Sequence, residues 1–217
     1  MKEILVIHLD TGTHKTEVEF LGQPLRIHRE GCGGDAALAR ELIQKFDGKV
    51  DAIGLEDIPG TLTLGQAQVN HVAGNDLLHL ARQTPVVDGS GIRASMERWG
   101  VILADRMQPG IFSRKNVLLV PGVNHEGLGH ALGKHAQAVR YADPVVFFAL
   151  PDFPGVGSPR SLQQVDQPTL EQIKDFPFRR LMPRAGLAGT PRSQEPFAWA
   201  DVLAGDIGAI RRYAPER

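Results

Sequence analysis

The sequence predicts an α/β protein with a largely parallel sheet, flanking helices, an N-terminal antiparallel hairpin and an irregular, Pro-rich C-terminal region. Three observations carry this. Short apolar runs bounded by turn residues alternate with helical periodicity from residue 31 to residue 143. Two runs near the N-terminus alternate polar with apolar residues on either side of Gly22-Gln23-Pro24. Nine of the fifteen prolines fall in the last 67 residues. The expected division is a ligand-binding core over residues 1–150 and a region over residues 151–217 that wraps it.

The chain has 217 residues, 42% hydrophobic content and a net charge of −1. A charge this small supplies no basic field for a phosphate backbone, so nucleic acid is not an expected partner. The single cysteine, Cys32, excludes an internal disulfide. No apolar run reaches the length that spans a bilayer, so no membrane partner is expected, and the composition reads as cytoplasmic. The expected partners are a small anionic metabolite or a nucleotide, with a homo-oligomer left open.

Taken in order, Ile4 to Leu9 is an apolar strand that ends at Asp10-Thr11-Gly12-Thr13. Thr16 to Leu21 and Leu25 to His28 form the hairpin. Gly31 to Ala36 opens a helix in which Leu38, Leu42 and Phe46 share a face, and Gly48 stops it. Val50 to Leu55 is the next strand. Residues 59–75 read as a connection without clear pattern, and Asn75 or Asp76 as the cap of a short helix through Arg82. Pro85-Val86-Val87 reads as an inner strand, Asp88-Gly89-Ser90-Gly91 as a loop, and Ile92, Met96 and Trp99 as the apolar stripe of a helix that extends through Val101 to Ala104. Gln108-Pro109-Gly110 is a break. Asn116 to Val120 is a buried strand, followed by a glycine-weakened helix near Leu128 to Leu132, a strand over Ala138 to Ala142 and an apolar element over Val145 to Leu150. Leu170 to Phe176 and Trp199 to Ile207 are the expected C-terminal helical pieces.

Chemistry is expected at the strand ends, because ligands of parallel sheets bind beyond the carboxyl ends of the strands. The loop Asp88 to Gly91 places Gly89, Ser90 and Gly91 at a helix start, where backbone amides and the helix dipole favour an anion. Residues 31–36 match G-x-G-x-x-A, with Gly31, Gly33 and Ala36 against a pyrophosphate, and Glu56, twenty residues beyond Ala36, fits a ribose-binding acid. Asp88 and His125 are candidates for proton transfer. Asp10 and Asp88 would hold Mg²⁺ if the chemistry were phosphoryl transfer. His125, Glu126, His130 and His135 are the densest histidine group, without the H-E-x-x-H spacing of a zinc helix. Cys32 at a helix entry is a weakly supported nucleophile.

The segments TEVEFLGQPLRI, DGKVDAIGL, PVVDGSGIRASMER, FFALPDFPGVGSPRSL, FPFRRLMP and GDIGAIRRYAPER together resemble an uncharacterised bacterial family often labelled quinate 5-dehydrogenase, over most of the chain. The resemblance implies an NAD(P)-dependent oxidoreductase acting on a small hydroxylated cyclic acid, with NAD or NADP as cofactor, and relatives that continue past RRYAPER. Two other readings stand beside it. The order of Ile4 to Thr13, hairpin, helix and strand suits a Mg-dependent phosphotransferase or phosphohydrolase of actin-like or ribonuclease-H-like type. A non-catalytic protein that binds an anionic metabolite needs no base at all.

Overall fold

A computed structural model of the chain describes residues 1–143, 159–181 and 194–215. In chain order the elements are β1 (Lys2–His8), β2 (Thr13–Phe20), β3 (Gln23–Gly31), α1 (Ala36–Phe46), β4 (Ala52–Glu56), β5 (Thr61–Leu64), β6 (Ala67–Asn70), α2 (Val72–Leu78), β7 (Val86–Val87) and α3 (Ser90–Met107). They continue with β8 (Asn116–Val120), α4 (Glu126–Leu132), β9 (Ala138–Tyr141), α5 (Pro159–Ile173), α6 (Phe178–Leu181), α7 (Glu195–Trp199), β10 (Val202–Gly205) and α8 (Ile207–Tyr213). The chain divides into two compact units. Unit 1 comprises Met1–Thr61, Asn70–Gly91 and Lys174–Met182; unit 2 comprises Leu62–Val69, Ile92–Ile173 and Pro183–Arg217.

Unit 1 is built on a five-stranded sheet of order β2-β3-β1-β4-β7. It is mixed, which corrects the expectation of a largely parallel sheet. β3 pairs parallel with β1 and antiparallel with β2, while β4 runs parallel to both β1 and β7. The expected hairpin is present: Leu21 and Gly22 both take positive φ, 51° and 75°, the two-residue turn whose twist matches paired strands. β3 inserts between β1 and β2, so the three strands do not form the sequential meander with which a ribonuclease-H-like unit begins.

α1 starts where Asp35 accepts a hydrogen bond from the Ala37 amide and ends before Gly48 at φ 74°. Its inward face is Ala39 and Ile43, flanked by Leu42 and Phe46, while Leu38 lies exposed. Ile43 joins Leu5, Ile7, Ile53, Leu55 and Leu77 in the core of this unit, each burial worth roughly 1.5–3 kcal/mol. Phe178 of α6, from the far end of the sequence, completes that core. The cap of α2 is His71 rather than Asn75 or Asp76: its Nδ1 accepts from the Gly74 amide at 3.0 Å.

Unit 2 holds a parallel sheet of order β10-β8-β9. Its central strand, β8, is fully buried from Val117 to Val120, as its unbroken apolar run requires. β5 and β6, in the stretch that carried no clear pattern, form a two-stranded sheet joined through Gly65 at φ 58°. Val202–Gly205 is a strand inside the stretch expected to be helical, and the flanking helices end at Trp199 and begin at Ile207. Val145 to Leu150 lies outside the described residues, as do residues 151–158, 182–193 and 216–217 of the proline-rich region. No helix among the described residues is long and apolar enough to cross a membrane.

Candidate functional site

The four parallel strands of unit 1 end on one edge, in the order Gly31, His8, Glu56 and Val87. From β1 the chain leaves toward β2 and β3, and from β4 toward β7, so the succession of strands reverses between β1 and β4. That reversal is where open α/β sheets hold ligands. Asp10, Glu56 and Asp88 therefore do lie on a common sheet edge. The side chains are engaged in different ways. Glu56 is ion-paired with Arg29 of β3. Asp88 accepts the Gly60 amide on Oδ2 and the Ser90 amide on Oδ1, both at 3.0 Å, so it fastens the β4 exit to the start of α3.

The two glycine loops differ in accessibility. In the Gly31 loop four amides are already taken: Gly31 donates to the Gly12 carbonyl, Cys32 to His8, Gly33 to Asp10 and Asp35 to Cys32. A Cβ at Gly31 would run into the Asp10 carbonyl, and one at Gly34 into the Arg179 side chain. These glycines serve close packing of chain on chain. The amides of Gly31 and Gly33 are thus engaged within the chain, and Glu56 is held by Arg29. Cys32 is buried, and desolvation pushes its thiol pKa up, the reverse of an activated nucleophile.

The Asp88–Gly91 loop is open. Gly89, Ser90 and Gly91 are exposed, and nothing lies within 4 Å of a Cβ built on either glycine. Gly89 takes φ 76°, so the turn needs it, whereas Gly91 has no such requirement. The strand before the loop is corrected from an inner to an edge strand: β7 has two residues, ends the sheet, and leaves Val87 55% exposed.

In unit 2 the carboxyl end of β8 leads into Pro121 to His125, and here a second group assembles. Asp143, at the end of β9 and fully buried, accepts the amides of Gly122 and Val123. Burial raises its pKa against the pull of those two donors. Asn124, at φ 62°, exchanges bonds with Thr63 of β5: its amide donates to the Thr63 carbonyl and its Oδ1 accepts the Thr63 amide, each at 2.8 Å. Thr63 Oγ1 donates to Glu126 at 2.6 Å. Between these anchors stands His125, whose Nδ1 meets Glu97 Oε1 of α3 at 2.7 Å; the other Glu97 oxygen accepts the Leu128 amide at 3.2 Å. Glu97 is only 12% exposed and His125 22%.

A carboxylate on Nδ1 makes that nitrogen the donor and leaves Nε2 as the acceptor, the tautomer of a general base. Nε2 makes no hydrogen bond among the described residues. The sequence marks His125 at a strand end but gives no sign of Glu97, twenty-eight residues away on α3. The inward line of α3 is Ala94, Glu97, Val101 and Ala104, at helical spacing: Gly127 approaches the Ala94 carbonyl, and Val101 packs with Val117 and Leu132. Ile92, Met96 and Trp99, expected to face the core, are 63%, 65% and 52% exposed.

Among the described residues no three His, Cys, Asp or Glu side chains are grouped to hold a metal ion. Glu126, the acid of the histidine-rich stretch, accepts from Thr63 Oγ1. Residues 91–217 match the model of a family described as a domain of unknown function (DUF8754), and the chain belongs to that family. Residues 3–88 match a second domain of unknown function (DUF8753). No curated protein and no solved structure matches the chain.

Proposed function

We infer that this protein is an enzyme that moves a proton at a hydroxyl of a small, anionic, hydroxylated substrate, with His125 as the acid–base group. The supporting observation is the His125–Glu97 pair. A carboxylate that is nearly buried and bonded through both oxygens fixes one tautomer of the imidazole and stabilises the imidazolium formed when Nε2 takes a proton. Oxidation of such a hydroxyl, in a cyclic acid like quinate, is the form of this chemistry that the sequence resemblance implies. The hydride acceptor would be NAD or NADP, and no step is assigned to the Gly31–Ala36 loop, whose Gly31 and Gly33 amides are bonded within the chain. Incubation with quinate or shikimate and either nucleotide, followed by NAD(P)H absorbance, tests the reading. Reduction that His125→Asn lowers by about 10²–10⁴-fold, at unchanged stability, is the expected result. Turnover that survives this substitution would remove His125 from the chemistry, and the absence of turnover would remove the oxidoreductase.

A second reading is favoured by the open Asp88–Gly91 loop: Ser90 and the amides of Gly89 and Gly91 bind an anion, without any demand for catalysis. Calorimetric titration with NADH, NADPH, Mg²⁺-ATP and inorganic phosphate distinguishes a dinucleotide, a nucleoside triphosphate and a plain anion. Gly91→Val is the sharp variant, because the fold has room for the side chain and a ligand seated on the amides does not. Affinity is expected to fall at least ~10-fold, a 1.4 kcal/mol loss, with the melting temperature unchanged. Equal affinity in the variant would show that the glycines serve the turn alone.

A further inference from the structure

The outer face of α3 carries Ile92, Met96, Trp99, Ile102, Leu103 and Met107, all exposed, with Met107 at 86%. Six large apolar side chains along one 18-residue helix are far more than the scattered exposure of an ordinary surface.

Apart from Ile102, whose mirror position is the inward Glu97, the positions are also symmetric. About a midpoint between residues 99 and 100, Ile92 mirrors Met107, Met96 mirrors Leu103, and Trp99 mirrors Gly100. Gly100 is exposed in the middle of the helix with nothing within 4 Å of a built Cβ, so neither the turn geometry nor a neighbour within the chain calls for a glycine there. A glycine in a helix interior is destabilising unless something approaches closely.

We propose that α3 is the two-fold interface of a homodimer, the helices packing antiparallel so that Trp99 of each copy lies over Gly100 of the other. An isologous contact requires this reciprocity, with each residue meeting the partner of its own mirror position. Large-on-small at the centre lets the two helix axes approach, and Ile92 on Met107 and Met96 on Leu103 close the seam on either side. The partner is a second copy because the stripe complements itself in length, spacing and shape.

Sedimentation of the full chain over a range of concentrations reads the outcome. Wild type is expected as a dimer. Met96→Lys, at a side chain that is 65% exposed, is expected to give a folded monomer. Gly100→Leu is the decisive variant: it should leave the melting temperature of the monomer unchanged or raise it, because leucine favours a helix and has open space, yet weaken the dimer at least ~10-fold by occupying the seat of Trp99. A wild type that stays monomeric at about 100 μM, well above the micromolar range of weak specific complexes, overturns the proposal. So does a dimer that tolerates both substitutions, which would place the contact on another face.

Discussion

His71 is a single side chain on which two segments of unit 1 depend. Its Nδ1 accepts the Gly74 amide and its Nε2 donates to the Phe176 carbonyl at 2.8 Å, while its ring tilts against Phe178 at 4.8 Å. The bond from Gly74 needs the neutral ring, because a protonated Nδ1 cannot accept, and burial lowers its pKa. A histidine whose folded pKa is depressed contributes stability that is present above its unfolded value, about 6.5, and is lost as pH falls below it toward the folded value. Denaturant melts are therefore expected to weaken on acidification below about pH 6.5. His71→Ala should flatten that dependence and cost about 2–4 kcal/mol, through the lost cap, the unsatisfied carbonyl and the cavity.

Asp166 behaves in the opposite sense. It is 4% exposed, accepts a backbone bond from Gln66, and burial pushes its pKa up to about 6. A raised carboxyl favours the fold while protonated, so its contribution is full below the unfolded value near 4 and disappears as pH climbs through 6. Asp166→Asn keeps an oxygen for Gln66 and carries no charge. Melting curves at pH 8 are expected to show it about 1–3 kcal/mol more stable than wild type, and no different at pH 4. A loss of stability at pH 8 would mean that the ionised carboxylate has a favourable partner.

At the scale of elements, the local signals in the sequence were read correctly where chemistry acts within a few residues. Asp35 before α1, Gly48 after it, Leu21-Gly22 in the hairpin and the break at Pro109 each act on their own backbone, so the boundaries they set needed no tertiary knowledge. Asp35→Ala is expected to cost about 1 kcal/mol, measured by thermal melting, because one amide of the first turn loses its acceptor. The faces of helices were less legible. In α3 the apolar stripe was taken for the buried side, yet the helix packs through Ala94, Glu97, Val101 and Ala104. Small residues and a buried carboxylate make a contact face that hydropathy alone does not mark, and a large apolar stripe marks burial only if something covers it. β5 and β6 leave a faint trace in the sequence although Thr61-Leu62-Thr63-Leu64 alternates and Gly65 supplies a turn, since two four-residue strands are short against their connections. His125 was visible at a strand end; Glu97, twenty-eight residues away on a helix, became its partner only through packing.

For the whole molecule, the boundary between the two family matches, residues 3–88 and 91–217, coincides closely with the end of unit 1's main body at Gly91. It does not cut the units cleanly. Leu62–Val69 belongs to unit 2 and Lys174–Met182 to unit 1. A fragment of residues 1–91 would lack Phe178 from its core and Phe176 from beneath His71, and is expected to be much less protected in hydrogen exchange than the same residues in the full chain. Adding residues 170–182 in trans should restore part of that protection if the docking of Phe178 is what is missing.

Phe178 also sets a timetable. On the ribosome β1 to β4 emerge early, but the side chain that closes their core is made more than a hundred residues after β4 ends at Glu56. Until then the first unit waits with an apolar vacancy beside Leu77 and Ile58, and a nascent chain stalled before residue 174 is expected to be cut readily by protease within β4 to α2. Synthesis from the N-terminus therefore does not complete unit 1 before the strands of unit 2 are begun; the opening residues reach their final form only once α6 is made.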